Sequence, residues 1–408
     1  MSFVKSRIRN LLSGSPGTSP AMVPIRLIPE NRSNGRVLMS YATKVYHDFL
    51  NGKPLDRTHV SAWQNFQISR IFLDLGFEVD VIHFEDQDYE PAGSYDVIFD
   101  IVSNLGRLAD RYGPETKKIL FPMFAHWSVH NLRSYIRHRS LAERRGVAIA
   151  PKRLLKPNDS VERADYILCK GGEFGRSTYA YSSTPVTPLT QPRPHAIDEF
   201  IERDHDRCRR NFIWIGGSSA VHKGLDLVLE AFVARPDLQL TVLGKVTEEG
   251  PFCGVYRSEL FESGNVLAAG WVDTLSPQFR SICANAIALV APSATEISCG
   301  SVICGMMNGL IPIVCESTDI DVSDFGICVA SDTVEDIQAA IDELSAMPTS
   351  ELAARSEASR QVSQERYGGE QFVQTFRTAV CEVLGVDRPQ NWDTVAHDFR
   401  IPQIELCD

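Results

Sequence analysis

Short apolar runs alternate with segments of helical period twice along this 408-residue chain, and the alternation lapses once, between 182 and 209. A strand, a helix and a second strand in succession require a crossover connection, so the pattern dictates parallel strands with helices packed on the sheet. In the first series "RVLMSY", "EVDVIH", "YDVIFDI", "KKILFPM" and "ADYILCK" read as strands, and "SAWQNFQISRIFLDLGF" as a helix with apolar residues three and four apart. In the second, "NFIWIG", "LQLTVLG", "NVLAAG", "AIALVA" and "IPIVC" read as strands. Helices are expected near 224–234, 253–262, 273–284, 299–309, 332–346 and 349–365. The fold class is α/β, two doubly wound Rossmann-like domains with a cleft between them.

The boundaries follow from what interrupts the pattern. A Gly/Ser/Pro-rich stretch, "SGSPGTSP", marks residues 1–34 as a flexible lead-in, and structure is expected to start near Arg36. The first domain then spans 35–182. Four prolines and a charged run make 183–210 a linker, the second domain occupies 211–385, and 386–408 reads as a short tail. Each domain is long enough to bury its own core.

A formal charge of −11 spread along the chain argues against a general nucleic-acid binder, which needs a basic footprint, and leaves room for local basic patches. The ten cysteines form no CxxC pair and sit mostly in apolar runs, as reduced core residues do, which favours the cytosol. No segment approaches the roughly 18 consecutive apolar residues needed to cross a bilayer, and no signal-peptide stretch opens the chain. The first twelve residues set Lys5, Arg7 and Arg9 opposite Phe3, Ile8 and Leu12, a pattern compatible with peripheral contact at the inner face of a membrane.

Ligands of doubly wound sheets bind at the carboxyl ends of strands, beside helix N-termini. Two loops of the second domain carry the equipment for this. In "WIGGSSAVHKGLDLVLEAF" (214–232) a buried strand runs into Gly216, Gly217, Ser218 and Ser219, and Lys223–Gly224 opens a helix. Glycines allow close backbone approach, exposed N–H groups favour an anion, and Lys223 adds a full charge, so a diphosphate is the natural guest. The GxxxxGK[ST] pattern of a nucleoside triphosphate loop is absent. In "PSATEISCGSVICGMMNGLIPIV" (292–314) Glu296 precedes small residues through Gly300 and Ser301 that lead into a helix. A carboxylate there repels phosphate, so Glu296 suits either hydrogen bonds from sugar hydroxyls or the helix macrodipole. "GWVD" (270–273) reads as a structural turn capped at Asp273.

In this order, strand, GG, five residues, KG and helix, then "GWVD", then "APSATE" and a small-residue helix ending "NGLIPIV", the chain resembles the C-terminal half of the retaining GT-B glycosyltransferases of the group 1 family. The resemblance covers about 211–345 and, less closely, 59–180. It implies transfer of a sugar from a nucleotide-diphosphate donor to a saccharide or lipid-linked acceptor, without a metal and without a tightly bound cofactor, as in bacterial polysaccharide assembly. It puts Lys223 on the departing diphosphate and Glu296 on the donor sugar. The family's second glutamate, which holds the ribose, falls on Cys304, and its arginine ahead of the lysine is missing, with Ser218 and Ser219 nearby. Cysteine is a poor acceptor for paired hydroxyls, so ribose recognition must be weaker or reassigned. Those departures keep open a second class of function, a non-catalytic homologue that binds a sugar nucleotide or supports a partner enzyme.

In the first domain "FPMFAHWSVHNLRSYIRHRSLAERRG" (121–146) ends a strand in His126. The resemblance makes His126 a candidate donor contact, ahead of His130, and gives His59 an acceptor-side place. The arginines that follow read as a solvated helix face or as a greeting for an anionic lipid-linked acceptor. The resemblance also implies that the last helix returns to the first domain. "DID" (319–321) matches a cation-binding Asp-x-Asp, yet lies beyond the phosphate loops and reads better as a polar surface turn.

Overall fold

The computed structural model describes residues 23–31, 34–55, 60–193, 200–387, 401 and 403–407. The basic N-terminal stretch and His59 lie outside them. Seven strands of the first domain are β1 (Ile25–Ile28), β2 (Gly35–Tyr41), β3 (Phe77–His83), β4 (Val97–Asp100), β5 (Lys117–Leu120), β6 (Tyr166–Cys169) and β7 (Val186–Pro188). The second domain holds β8 (Asn211–Ile215), β9 (Gln239–Leu243), β10 (Val266–Gly270), β11 (Ala288–Ala291), β12 (Ile311–Cys315) and β13 (Ile327–Val329), and β14 (Gln403–Leu406) follows it. Two sheets result, one ordered β14-β1-β3-β2-β4-β5-β6-β7 and the other β10-β9-β8-β11-β12-β13. Every pairing of the second sheet is parallel, and its central strands are buried on both faces, as crossover helices require.

All ten strands read from the sequence are present. Four others are not among them. β1 falls in the segment read as a flexible lead-in, and pairs antiparallel with β3 on one side and β14 on the other. β7 lies in the stretch read as linker, and β13 after the last expected strand. These are three- and four-residue strands, too short for alternation to show, and β14 joins the sheet only through its pairing with β1.

The helix Gly369–Leu384 is the larger departure from the boundaries read in sequence. Its apolar stripe, Phe372, Val373, Phe376, Ala379, Val380 and Val383, is buried in the core of the first domain together with Phe72, Phe99 and Phe121. Phe376 stands with ring centroids 6.0 Å from Phe99 and 5.9 Å from Phe121 in edge-to-face geometry. The return of the chain forms a two-stranded hinge, in which the Arg193 N–H donates to the Tyr367 carbonyl at 2.7 Å and Arg193 bridges Gly368.

The helix Trp127–Arg145 carries the arginine run, and it is not a solvated face. Arg133 donates to the Ala294 carbonyl (2.7 Å) and Ser317 Oγ (3.0 Å), and Arg137 to the Pro292 carbonyl (2.9 Å) while pairing with Asp332 at 2.9 Å. Arg144 meets Asp226 (2.6 Å) and Glu230 (2.9 Å), and Arg145 meets Glu230 (2.9 Å) and Glu259 (2.7 Å). All these partners belong to the second domain. Arg139 alone of the run keeps to its own exposed helix face, paired with Glu143.

A second crosslink comes from Asp319, which corrects the reading of "DID" as a surface turn. Asp319 is buried, at φ 61°, and its carboxylate accepts the N–H groups of Gly172 (2.8 Å), Gly175 (3.0 Å) and Ser298 (3.1 Å). A Cβ on Gly175 would lie 2.5 Å from that carboxylate, so only glycine lets the helix Glu173–Ser177 come this close. Only Asp321 faces solvent, with Ser323 and Arg366 as partners. The two domains are therefore closed on each other.

Candidate active site at the domain junction

Two loops at the carboxyl ends of β8 and β11 meet under the arginine helix. Gly224 makes the meeting possible: its φ is +75°, and a Cβ there would stand 2.4 Å from the Pro292 carbonyl oxygen. The loops are stitched by the Ala294 N–H to the His222 carbonyl (2.7 Å) and by His222 Nε2 to the Thr295 carbonyl (2.9 Å). This brings Lys223 Nζ directly onto Glu296 Oε1, with Arg153 3.7 Å from the same oxygen. The Glu296 side chain is 9 % exposed and that of Lys223 14 %.

Burial alone would raise the Glu296 pKa. Lys223, then Arg153 and His222, outweigh it and hold the carboxyl at about 2. It is an anion at any working pH. His222 is pushed down to about 3 by burial, and His130 is lowered for the same reason, so both imidazoles are neutral. Their rings stand 4.9 Å apart across the junction, one from each domain. His130 Nε2 donates to the Arg153 carbonyl at 2.7 Å, which fixes its tautomer and positions the Arg153 backbone.

The residues singled out in the sequence divide into three groups. Lys223 and Glu296 are in contact. Gly216 to Ser219 form the loop before Lys223, with Gly217 and Ser218 exposed and Ser219 buried at φ 68°. One N–H of this loop is already spent, because Ala220 donates to the Glu249 carboxylate at 3.0 Å. Gly300 and Ser301 open the helix Gly300–Met307 behind the Glu296 loop. Asp273 builds the turn that follows β10, while the cap of the next helix is Ser276, whose Oγ accepts the Phe279 N–H at 3.1 Å.

His126 and Cys304 stand apart from the pair. His126 caps the arginine helix, and its hydrogen bonds stay in the first domain: Nδ1 to Ser128 Oγ (2.8 Å), Nε2 to the Tyr181 hydroxyl (3.2 Å), and its N–H to Thr178 Oγ1 (3.0 Å). Tyr181 in turn donates to Glu162 at 2.6 Å. One helical turn on, His130 occupies the place beside the second-domain loops that the sequence reading gave first to His126. Cys304 is buried in the second-domain core, and its Sγ takes an N–H from Arg193 at 3.0 Å. No cysteine thiol is thus offered to the cleft at that position; a guanidinium from the hinge covers it. His130 is read in the sequence behind His126, whereas Arg153, His222 and Glu249 escape it. His222 had the one available signal, adjacency to Lys223; the others lie in segments without periodicity or motif.

No family model matches the sequence, and no curated protein matches it. Solved structures do match in shape. Sucrose-phosphate synthase from Thermosynechococcus elongatus aligns with a TM-score of 0.59 at 11 % identity, over 86 % of this chain and 100 % of that one. Anabaena HepE in complex with UDP aligns at 0.55 and 11 % identity over 86 % and 100 %. The lipopolysaccharide outer core galactosyltransferase WaaB, in its apo form, aligns at 0.52 and 12 % identity over 86 % and 99 %. The chain shares their GT-B architecture of two Rossmann-like domains closing on a cleft. Among the described residues no helix is long and apolar enough to cross a membrane, and no group of three His, Cys, Asp or Glu side chains is placed to hold a metal ion.

Proposed function

We propose that the chain is a glycosyltransferase that takes a sugar from a nucleotide-diphosphate donor and passes it, with retention and without a metal, to a saccharide or lipid-linked acceptor held by the first domain. The observation that carries this is the buried Lys223–Glu296 pair at the carboxyl ends of β8 and β11. Breaking the anomeric C–O bond builds positive charge on the sugar and negative charge on the departing diphosphate. A lysine can neutralise the latter where other folds use a cation. On donor binding, Lys223 exchanges Glu296 for the diphosphate, and the freed carboxylate accepts sugar hydroxyls. Arg153 stays beside it, so the carboxylate does not lose its whole counter-charge. Closure through the arginine helix and Asp319 keeps water from the reacting centre. The fold likeness to HepE, a protein solved with UDP, makes UDP the first nucleotide to try. Cytoplasmic residence with peripheral membrane contact fits a lipid-linked acceptor.

A non-catalytic role has one observation in its favour, the Arg193 guanidinium lying on Cys304 where the resemblance places a ribose carboxylate. Thermal unfolding with UDP, GDP, ADP and CMP, in EDTA and then in magnesium, tests the donor site common to both readings. One nucleotide at about 100 times its dissociation constant stabilises by roughly 2.7 kcal/mol, a rise of about 5 °C, and does so in EDTA. No rise with any nucleotide would refute the site; a rise in magnesium alone would refute the metal-free mechanism.

A further inference from the structure

Lys170 is a buried cation that the site above does not use. It follows β6, is 5 % exposed, and no carboxylate pairs with it among the described residues. Its Nζ reaches Gln64 Oε1 at 3.2 Å and Met123 Sδ at 3.4 Å, and stands 5.6 Å over the Phe121 ring. The same Gln64 oxygen accepts from the Tyr41 hydroxyl at 3.3 Å. Among the described residues Gln64 Nε2 has no acceptor, and neither has Nε2 of Gln67, one turn along the same buried helix face. The cluster has more donors than acceptors, in a place where an unmatched donor is costly.

Arg203 shows how this chain settles a buried cation of purely structural use. Equally buried, it donates to the carbonyls of Cys283, Asn308 and Gly309 and to Ser356 Oγ. Lys170 has no such set. Its position matters as well. Tyr41 ends β2, Phe121 follows β5 and Lys170 follows β6, so the cluster lies at the carboxyl ends of the first-domain strands, where sheets of this kind receive ligands. The second domain covers it: Ser298 Oγ donates to the Lys170 carbonyl at 2.9 Å.

We infer that Lys170, Gln64 and Gln67 form an anion site in the first domain, open to a phosphate or carboxylate group when the domains part. If the proposed transfer reaction holds, that group belongs to the acceptor, and this assignment rests on the reading above; the anion site itself does not. Burial brings the Lys170 ammonium down to about 7, with the Cys169 thiol its titrating neighbour. At pH 8 the amine is largely neutral, and an arriving anion raises its pKa, so binding draws in a proton.

The test is calorimetric titration of the full chain at pH 8 in two buffers of different ionisation enthalpy. Sulfate serves as the phosphate mimic and acetate as the carboxylate, neither titrating at that pH. Either anion is expected to bind with uptake of about one proton. Uptake disappears in Lys170→Met, affinity weakens in Gln64→Leu, and both uptake and affinity persist in Lys223→Met. Preference for sulfate marks a phosphate source, preference for acetate a carboxylate source. Lys170→Met is also expected to unfold at a higher temperature, since a buried amine held by one amide oxygen and a thioether, without a carboxylate, has been replaced by an apolar chain of similar length. Binding without proton uptake, uptake unchanged in Lys170→Met, or no binding of either anion would overturn the inference. UDP titrated in parallel separates the claims: UDP binding without anion uptake sinks this one alone, and anion uptake without nucleotide binding sinks only the proposed function.

Discussion

Replacing Lys223 with alanine is expected to lower nucleotide affinity by about 100-fold or more, the loss of one charge-assisted contact in a largely water-excluded site. The same change should lower stability, because Glu296 remains buried and ionised with only Arg153, at 3.7 Å, to offset it. Removing one member of a buried pair costs about 3 to 5 kcal/mol, and the remaining arginine puts the expected value toward the lower bound. The two losses have different causes, and a second substitution separates them. In Lys223→Ala/Glu296→Gln the stranded charge is gone, so stability should recover while affinity does not. Calorimetric titration and urea unfolding of the wild type and the two variants check this. Recovery of both would mean that Lys223 serves only to neutralise Glu296.

Phe376→Ala is expected to destabilise the first domain by about 3 to 5 kcal/mol, although residue 376 follows the whole second domain in sequence. Its ring touches Phe72, Phe99, Phe121 and Phe372, and the truncation empties the centre of that aromatic cluster. Hydrogen exchange followed by mass spectrometry should show faster exchange in β2, β4 and β5 and leave β8, β11 and β12 protected. Faster exchange confined to the second domain would contradict the packing described above.

What the sequence discloses follows from what periodicity encodes. "NFIWI" and "AIALVA" are legible as strands because parallel strands buried on both faces are continuously apolar. The stripe of Gly369–Leu384 is equally legible, but a stripe tells which face is buried and not what buries it, so periodicity alone leaves the helix at the end of the second domain and only the family resemblance points to its return to the first. The arginines of Trp127–Arg145 show the same limit. A charged run suggests solvent, and the acceptors that contradict this, the Pro292 carbonyl, Asp332, Asp226, Glu230 and Glu259, are scattered over the second domain. Lys223 and Glu296 were visible one by one, each in a strand-to-helix loop; their contact depends on Gly224 admitting the Pro292 carbonyl, which no local pattern records. His126 and His130 are one helical turn apart, and only the direction of the helix decides which faces His222.

As proposed above, this junction breaks a sugar–phosphate bond. The measurement that meets it most directly is chromatographic detection of free nucleoside diphosphate after the wild-type chain is incubated with UDP-, GDP- and ADP-sugars in EDTA, beside Lys223→Ala. The account predicts release from one donor class, by slow transfer to water when no acceptor is supplied and faster with a cognate acceptor, and none above background from Lys223→Ala. A wild-type chain that binds the nucleotide yet releases none, with water or with any saccharide or lipid-linked acceptor supplied, would contradict it and leave the non-catalytic reading in its place.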